Sequence, residues 1–284
     1  MERFYSIADM GFLIDDTHAP MNSQEGVLAP FRAEAKLPYH KLHLLSVEAL
    51  AAPEGNCVFD GAGKSIYRND REQIRYEGAY YGRWEDAYLR ISRIGTESFV
   101  QLRKDVVARG VSPKTVLTAM ELEHQIVCSR GFLFHSAYVR RDDHAILFTG
   151  PSGMGKSTQA ELWQRLRGAE LINGDRSIVR IVQGEAMVHG VPYSGSSGVS
   201  RNQSLPLKAI VSLSQAPRTT IQRLVGLRAF RELWEQCCIN IWNRDDVDRC
   251  MQTVMQIIQN VPVYHLACTP DESAVTALES MLNE

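Results

Sequence analysis

Apolar positions in the first hundred or so residues fall in short runs that are separated by turn residues. Residues 87–94 alternate apolar and polar side chains, and residues 98–102 follow after a Gly-Thr-Glu turn. Alternation with a period of two is typical of half-buried strands, and a short turn between two such runs indicates a hairpin. Gly61 and Gly63 indicate a second hairpin. We therefore expect residues 1–111 to form an N-terminal β-rich region, built as an antiparallel layer.

The pattern changes at about residue 112, where helix-like and strand-like segments begin to alternate. Ser112 followed by proline is typical of a helix start, because serine caps free N–H groups and proline fits the first turn. Helical spacing of apolar residues continues to about Val127, and Gly131 ends that helix. Strands are predicted at residues 131–140, 145–149, 169–175, 178–182, 186–191, 208–213, 218–224 and 261–266, and helices at residues 229–241, 245–259 and 273–282. We therefore expect an α/β protein with residues 112–284 as its second domain.

One segment, residues 145–158, has a specific chemical signature: an apolar run, then Gly-Pro-Ser-Gly-Met-Gly-Lys-Ser, then helix formers. A strand, a glycine-rich loop and a helix in this order are what a phosphate-binding loop needs, because backbone N–H groups and the helix N-terminus face the phosphates. Lys156 is expected to contact the β- and γ-phosphates, and Ser157 to ligate Mg²⁺. The predicted nucleotide-binding residues are Gly150, Ser152, Gly153, Met154, Gly155, Lys156, Ser157 and Thr158. The alternative, a chance match on a glycine-rich turn, conflicts with the agreement of all three elements.

Three further features accompany the loop, and each has two interpretations. Asp175 ends an apolar strand one helix after the loop, so it is either a magnesium ligand or an ordinary turn residue. His135 lies on the preceding strand, and by spacing alone it is more simply a core or edge residue. Small residues and hydroxyls at 190–198 form either a surface turn or a lid. Arg176 and Arg201 are candidates to clamp phosphate or substrate.

The order of these motifs resembles the catalytic domain of HPr serine kinase/phosphorylase and, more distantly, that of ATP-dependent phosphoenolpyruvate carboxykinase. The resemblance rests on His135 in His-Ser-Ala-x-Val, on the glycine-rich loop, and on the strand that ends in Asp175; it covers about residues 115–200. It implies a P-loop kinase core that binds ATP, with Mg²⁺ held by Ser157 and Asp175 and with His135 near the transferred phosphate. The local sequences at 173–176 and 192–195 look more like HPr-kinase-related bacterial proteins, some of which resemble kinases acting on peptides or small molecules.

The chain departs from that family at Gly174, where the family has the first of two aspartates. That aspartate resembles a general base, so here His135, Asp175 or a substrate group would take the proton. We expect an ATP- and Mg²⁺-dependent phosphotransferase, a kinase, with His135, Lys156 and Asp175 as catalytic residues. Its acceptor would be a hydroxyl of a protein or peptide serine or of a small molecule, which no pattern identifies. A catalytically weak nucleotide-binding regulatory module and an NTP hydrolase stay open as alternatives.

Composition narrows the range of partners. The 284 residues include 31 Lys and Arg and 33 Asp and Glu, with a net charge of -2 and no basic block, so a nucleic-acid partner is not predicted. The six cysteines include no C-x-x-C pair, which favours reduced thiols. No apolar run approaches a membrane span and no signal-peptide pattern is visible, so we expect a cytoplasmic protein without a membrane partner. The family resemblance is compatible with a homo-oligomer.

Overall fold

The structure is a computed structural model that describes residues 1–79 and 83–283. The chain divides into two compact units, Met1–Glu121 and Leu122–Glu284. Both units combine strands and helices, and each has its own sheet, so the protein is of mixed α/β class. The division falls after Glu121, whereas the sequence pattern placed it near residue 112. Within the described ranges, no helix combines the length and the apolar character needed to cross a membrane.

Eight strands of the described residues form the sheet of the first unit. They are β1 (Glu2–Ile7), β2 (Met10–Asp15), β3 (Tyr39–Val47), β4 (Asn56–Gly61), β5 (Lys64–Arg68), β6 (Gln73–Glu77), β7 (Leu89–Ile94) and β8 (Glu97–Arg103). Their order is β1-β2-β3-β8-β7-β6-β5-β4. The predicted antiparallel layer is wrong at β3, which runs parallel to both β2 and β8. Parallel neighbours need a long connection, and the chain between β2 and β3, which includes a 3-10 helix (Gly26–Phe31), supplies one.

The helix predicted from Ser112 to about Val127 is two helices. After α1 (Lys104–Ala108) comes α2 (Pro113–Ala119), where the side chain of Ser112 accepts a hydrogen bond from the backbone N–H of Thr115. The next helix, α3 (Leu122–Cys128), starts after Glu121, whose φ of +48° is left-handed and interrupts the helical path. The buried carboxylate of Glu121 pairs with Arg93 at 3.2 Å, an interaction within the first unit that the local sequence pattern does not reveal.

Nine strands of the described residues form the sheet of the second unit. They are β9 (Gly131–Arg141), β10 (His144–Thr149), β11 (Glu170–Asn173), β12 (Arg176–Val182), β13 (Glu185–His189), β14 (Ser204–Gln215), β15 (Thr220–Leu224), β16 (Cys237–Cys238) and β17 (Val263–Cys268). The order is β10-β9-β12-β13-β14-β17-β15, and β11 and β16 also pair with β9. The long β14 pairs first with β13 and then runs parallel to β10 and β17. Strand β9 thus has four strand partners and is the hub of the sheet.

Helices cover both faces of this second sheet. They are α4 (Lys156–Arg167), α5 (Gly226–Trp234), α6 (Arg244–Asn260) and α7 (Glu272–Leu282). Side chains of α4 and α7 join one apolar cluster with the sheet, and side chains of α5 and α6 join the other. Residues 145–148 are all buried, because the sheet is covered on both faces. This explains why the sequence is apolar without interruption at this strand and does not alternate.

Two predicted elements of the second unit end earlier than their patterns indicate. The helix predicted at 229–241 stops at Trp234, because the chain then extends to form β16 and pairs with Phe134 and Leu133 of β9. The strand predicted at 169–175 stops at Asn173, so Asp175 lies in a turn. Both endings are set by pairing with β9 and its neighbours, and both bring polar groups next to His135, in the middle of that strand.

The packing of Phe148 gives a stability prediction for the second unit. Its ring is fully buried, and its centroid lies 6.3 Å from that of Trp163 on α4. Phe148→Ala should lower the free energy of unfolding by about 3–5 kcal/mol, because it removes buried apolar surface and leaves a cavity. Leu227→Ala, at an exposed position of α5, is the matched control and should change it by less than about 0.5 kcal/mol. Urea unfolding of both variants measures the difference, and similar losses would contradict the assigned core.

Candidate functional site

The glycine-rich loop connects the end of β10 to the start of α4. Gly150 and Gly155 have φ angles of +139° and +100°, in the region that L side chains rarely adopt, so glycine is needed for this tight path. Gly155 directly precedes α4, whose first residue is Lys156. The Lys156 side chain is only 8% exposed, and its Nζ donates to the carbonyl oxygens of Gly150 at 2.8 Å and Pro151 at 3.2 Å. The loop therefore holds a buried ammonium group against its own backbone.

The other loop residues predicted to contact phosphate lie on an open surface. Ser152, Gly153, Ser157 and Thr158 are exposed, and Met154 is half-buried. A Cβ placed on Gly153 would meet no atom within 4 Å, so the space in front of the loop is free for a ligand. Hydroxyls and backbone N–H groups at a helix start suit Mg²⁺ and phosphate oxygens.

A cavity of about 590 Å³ adjoins the loop on the side of α4. Its volume lies within the range of small-molecule sites. Gln215 closes one wall, and its Nε2 donates to the carbonyl oxygen of Gly153 at 3.2 Å. Gln159 forms another, with Nε2 at 3.3 Å from Sγ of Cys268. The loop thus has room beside it for the nucleoside part of a nucleotide whose phosphates contact the loop.

The turn that carries Asp175 is organised by Asn173, the last residue of β11. The side-chain oxygen of Asn173 accepts hydrogen bonds from the backbone N–H groups of Asp175 at 3.1 Å and Arg176 at 3.2 Å. Its Nδ2 donates to the carbonyl oxygen of Val191 at 2.7 Å. Arg176 then holds the carboxylate, with Nε at 3.4 Å from Oδ2 of Asp175, while its guanidinium lies over the ring of Tyr193. A buried asparagine thus fixes the direction of a half-exposed carboxylate.

His135 lies beside that carboxylate, on β9. Its Nε2 is 3.9 Å from Oδ1 of Asp175, and its Nδ1 is 3.3 Å from Oε1 of Gln236. Since an amide oxygen only accepts, Nδ1 carries the hydrogen, and the lone pair of Nε2 faces Asp175. Burial, and then the positive charge of Lys156, lowers the pKa of His135, although Asp175 opposes the shift. The imidazole is therefore neutral at neutral pH and can accept a proton.

Burial also lowers the pKa of Lys156, and the negative charge of Asp175 partly opposes that shift. The predicted residues His135, Lys156 and Asp175 therefore lie close enough to influence one another electrostatically. No group of three or more His, Cys, Asp and Glu side chains in the described part of the chain is arranged to hold a metal ion. A Mg²⁺ ion at Asp175 would thus need oxygen ligands from the Ser157 hydroxyl and from the nucleotide itself, which is how phosphate-loop proteins bind it.

The sequence pattern did not indicate Gln236, which makes two hydrogen bonds with His135. The backbone N–H of His135 donates to the carbonyl oxygen of Gln236 at 2.9 Å, in addition to the side-chain contact. Gln236 fell inside a predicted helix, so its pattern gave no signal of a role. Glu232 of α5 was missed for the same reason; its carboxylate accepts a hydrogen bond from Ser212 of β14, which pairs with Thr149 at the end of β10.

The segment of small residues at 190–198 covers the Asp175 turn. A Cβ on Gly195 would lie 2.6 Å from Cβ of Asp175, so the segment packs directly on the candidate site. Arg201, predicted alongside Arg176 as a phosphate clamp, instead pairs with Glu170 at the start of β11. Only Arg176 of the two arginines therefore lies beside Asp175.

Gly174 is in contact with the same segment. A Cβ at Gly174 would lie 2.3 Å from Oγ and 2.6 Å from Cβ of Ser197, closer than real Cβ atoms approach their neighbours. An aspartate at position 174 would therefore displace the turn at Gly195–Ser197. The packing of this turn therefore leaves no room for a carboxylate side chain at position 174.

Comparisons with known proteins give little further information. No family model matches this chain, and no curated protein matches it. Among solved structures, it is similar to the HPr(Ser) kinase/phosphatase from Coxiella burnetii, with a TM-score of 0.32 and 12% sequence identity. The alignment covers 53% of this chain and 88% of the other. A likeness this distant assigns no role to any residue.

The contact between Gly174 and Ser197 gives a packing prediction. The backbone of Gly174 is not left-handed, so Gly174→Ala should be costly only because its new Cβ meets Ser197. We expect the free energy of unfolding to fall by about 1–3 kcal/mol. Ser197→Gly also removes hydrogen bonds to Ser194 and Val199, but the double variant should lose less than the sum of the single ones. Additive losses in urea unfolding would contradict this contact.

Proposed function

We propose that this protein is an ATP- and Mg²⁺-dependent phosphotransferase that acts on a hydroxyl acceptor. The observation that supports this most strongly is the meeting of Lys156, His135 and Asp175 beside the middle of β9. The three groups come from the first residue of a helix, a strand and a turn, and each suits a different part of phosphoryl transfer. The open surface of the loop and the adjoining cavity add room for a nucleotide.

Lys156 and the loop amides would bind the phosphates. Without a ligand, Nζ of Lys156 contacts the carbonyl oxygens of Gly150 and Pro151. When a nucleotide binds, the same ammonium group can turn to the β- and γ-phosphate oxygens instead. A bound Mg²⁺ ion would neutralise part of the phosphate charge, and Ser157 and Asp175 are the residues that could ligate it.

His135 is the group best placed to take the proton of the acceptor. The acceptor oxygen forms a bond to the γ-phosphorus, the bond to the β-phosphate oxygen breaks, and ADP leaves. The hydroxyl proton passes to Nε2 of His135, whose lone pair is free because Nδ1 donates to Gln236. Gln236 is therefore a positioning residue that selects the tautomer.

Nucleotide binding tests the first half of this proposal. Lys156→Ala should weaken Mg²⁺·ATP binding roughly 10- to 100-fold, because it removes one charged contact worth about 1.5–3 kcal/mol. Lys208→Ala, which removes an exposed lysine from the same unit, is the matched control and should bind as the unaltered protein does. Isothermal titration with Mg²⁺·ATP measures both, and the lack of saturable binding to the unaltered protein would overturn the proposal.

Transfer of labelled γ-phosphate in cell extract separates the proposed kinase from the alternatives. A labelled acceptor that is lost with Asp175→Asn supports the phosphotransferase. Saturable ATP binding without any labelled acceptor would instead identify a regulatory module, and rapid phosphate release without acceptor would identify a hydrolase. Each of these last two outcomes contradicts the kinase proposal while retaining the nucleotide site.

The pH dependence of the reaction tests the role of His135. A base acts in its neutral form, and a lowered pKa keeps that form populated at lower pH. The acidic limb of kcat/KM, which reports the free enzyme, should therefore have its midpoint below about 6.5, the value of an ordinary histidine. His135→Gln should remove this limb together with most of the activity, whereas His144→Gln, at an exposed position, should keep both. A limb that persists in His135→Gln would show that another group is the base.

A further inference from the structure

A second cluster of reactive side chains lies in the second unit, on helices that do not carry the glycine-rich loop. It consists of Cys128 and His124, one turn apart on α3, and of Asp246 on α6. Cys128 is exposed, whereas Asp246 is only 1% exposed. A thiol at the surface is thus connected through an imidazole to a buried carboxylate.

The three groups form a chain of hydrogen bonds. Nδ1 of His124 lies 2.9 Å and 3.1 Å from the two carboxylate oxygens of Asp246, and Nε2 lies 3.6 Å from Sγ of Cys128. Because a carboxylate accepts, Nδ1 carries the hydrogen and the lone pair of Nε2 faces the thiol. Asn240 donates from Nδ2 to Asp246 at 3.1 Å and holds the carboxylate in place.

This arrangement suits proton transfer better than metal binding. Metal ligands must converge on one point, but here the imidazole of His124 lies between the other two groups and engages each through a different ring nitrogen. Within residues 1–79 and 83–283, no set of three His, Cys, Asp and Glu side chains is placed to hold a metal ion. A nucleophile, a base and a group that orients the base are instead the parts of an activated thiol.

The other five cysteines differ from Cys128 in their surroundings. Cys250 is buried, and burial raises the pKa of the Cys237, Cys238 and Cys268 thiols. Cys57 is exposed, but its thiol faces the carbonyl oxygen of Phe59. By contrast, the hydrogen bond to His124 lowers the pKa of Cys128, against the opposing effect of desolvation. Cys57 therefore serves as an exposed internal reference without a base.

We propose that Cys128 is a modification site that reacts with low-molecular-weight disulfides, activated by His124 and Asp246. The thiol gives its proton to Nε2 of His124, and the thiolate attacks one sulfur of the disulfide. A bond forms between Sγ of Cys128 and that sulfur, the original S–S bond breaks, and the departing thiolate takes the proton back from His124. The disulfide is the oxidant, Cys128 is oxidised to a mixed disulfide, and one thiol is released.

Reaction of the full-length reduced protein with oxidised glutathione at neutral pH tests this site. Peptide mapping by mass spectrometry gives the rate of mixed-disulfide formation at each cysteine. Cys128 should react about tenfold faster than Cys57, because an ordinary exposed thiol is only a few per cent thiolate under these conditions. His124→Gln, which keeps helical propensity and removes the base, should lower the rate at Cys128 to that at Cys57.

The comparison within the unaltered protein needs no variant, so a folding defect cannot hide the result. Equal rates at Cys128 and Cys57 would overturn the proposal, as would a fast rate at Cys128 that survives in folded His124→Gln. Protection of Cys128 by one equivalent of Zn²⁺ would also overturn it, by identifying a metal site. Because this cluster shares no residue with the glycine-rich loop, the outcome does not depend on whether the protein binds ATP.

Discussion

The candidate site depends on the hydrogen bonds made by the backbone groups of two residues in β9, His135 and Ser136. The N–H of His135 donates to Gln236, its carbonyl oxygen accepts from the hydroxyl of Thr149 at 2.8 Å, and the N–H of Ser136 donates to the carbonyl oxygen of Asp175 at 3.1 Å. Buried backbone groups must be paired, since each unpaired one costs about 1–3 kcal/mol. Three elements that are remote in sequence are therefore held to one short stretch of strand, which brings the side chains of Gln236 and Asp175 to His135.

Several charged groups lie near His135, in the middle of β9. Lys156 and Arg176 bring two positive charges to a single carboxylate, Asp175, and His135 is kept neutral by burial and by the nearby ammonium group. Burial and the charge of Lys156 together outweigh Asp175, which would otherwise favour protonation of the imidazole.

Local signals allowed part of this arrangement to be predicted from the sequence. The strand, loop and helix around Lys156 were predictable because glycine conformations, helix propensity and apolar runs act over a few residues. The contact between His135 and Gln236 was not predictable, since α5 ends only where Cys237–Cys238 pairs with β9. The break at Glu121 likewise depends on arginines far away in sequence. Local propensity carries no information about such partners, so the elements were found more readily than their ends.

Gly174 illustrates how a difference in sequence becomes a constraint on mechanism. In the sequence alone, glycine at this position means that one carboxylate is missing, which suggests that a general base has been lost. In the fold, however, Ser197 occupies the space that a side chain at position 174 would need. Asn173 holds the turn in which the remaining carboxylate, that of Asp175, lies beside His135. A carboxylate that also binds Mg²⁺ is a poor proton acceptor, because the metal withdraws its electron density. Under the proposed function, the imidazole is therefore the group that would act as the base, because its Nδ1 hydrogen is directed to Gln236 and its Nε2 lone pair is left for the proton of the acceptor.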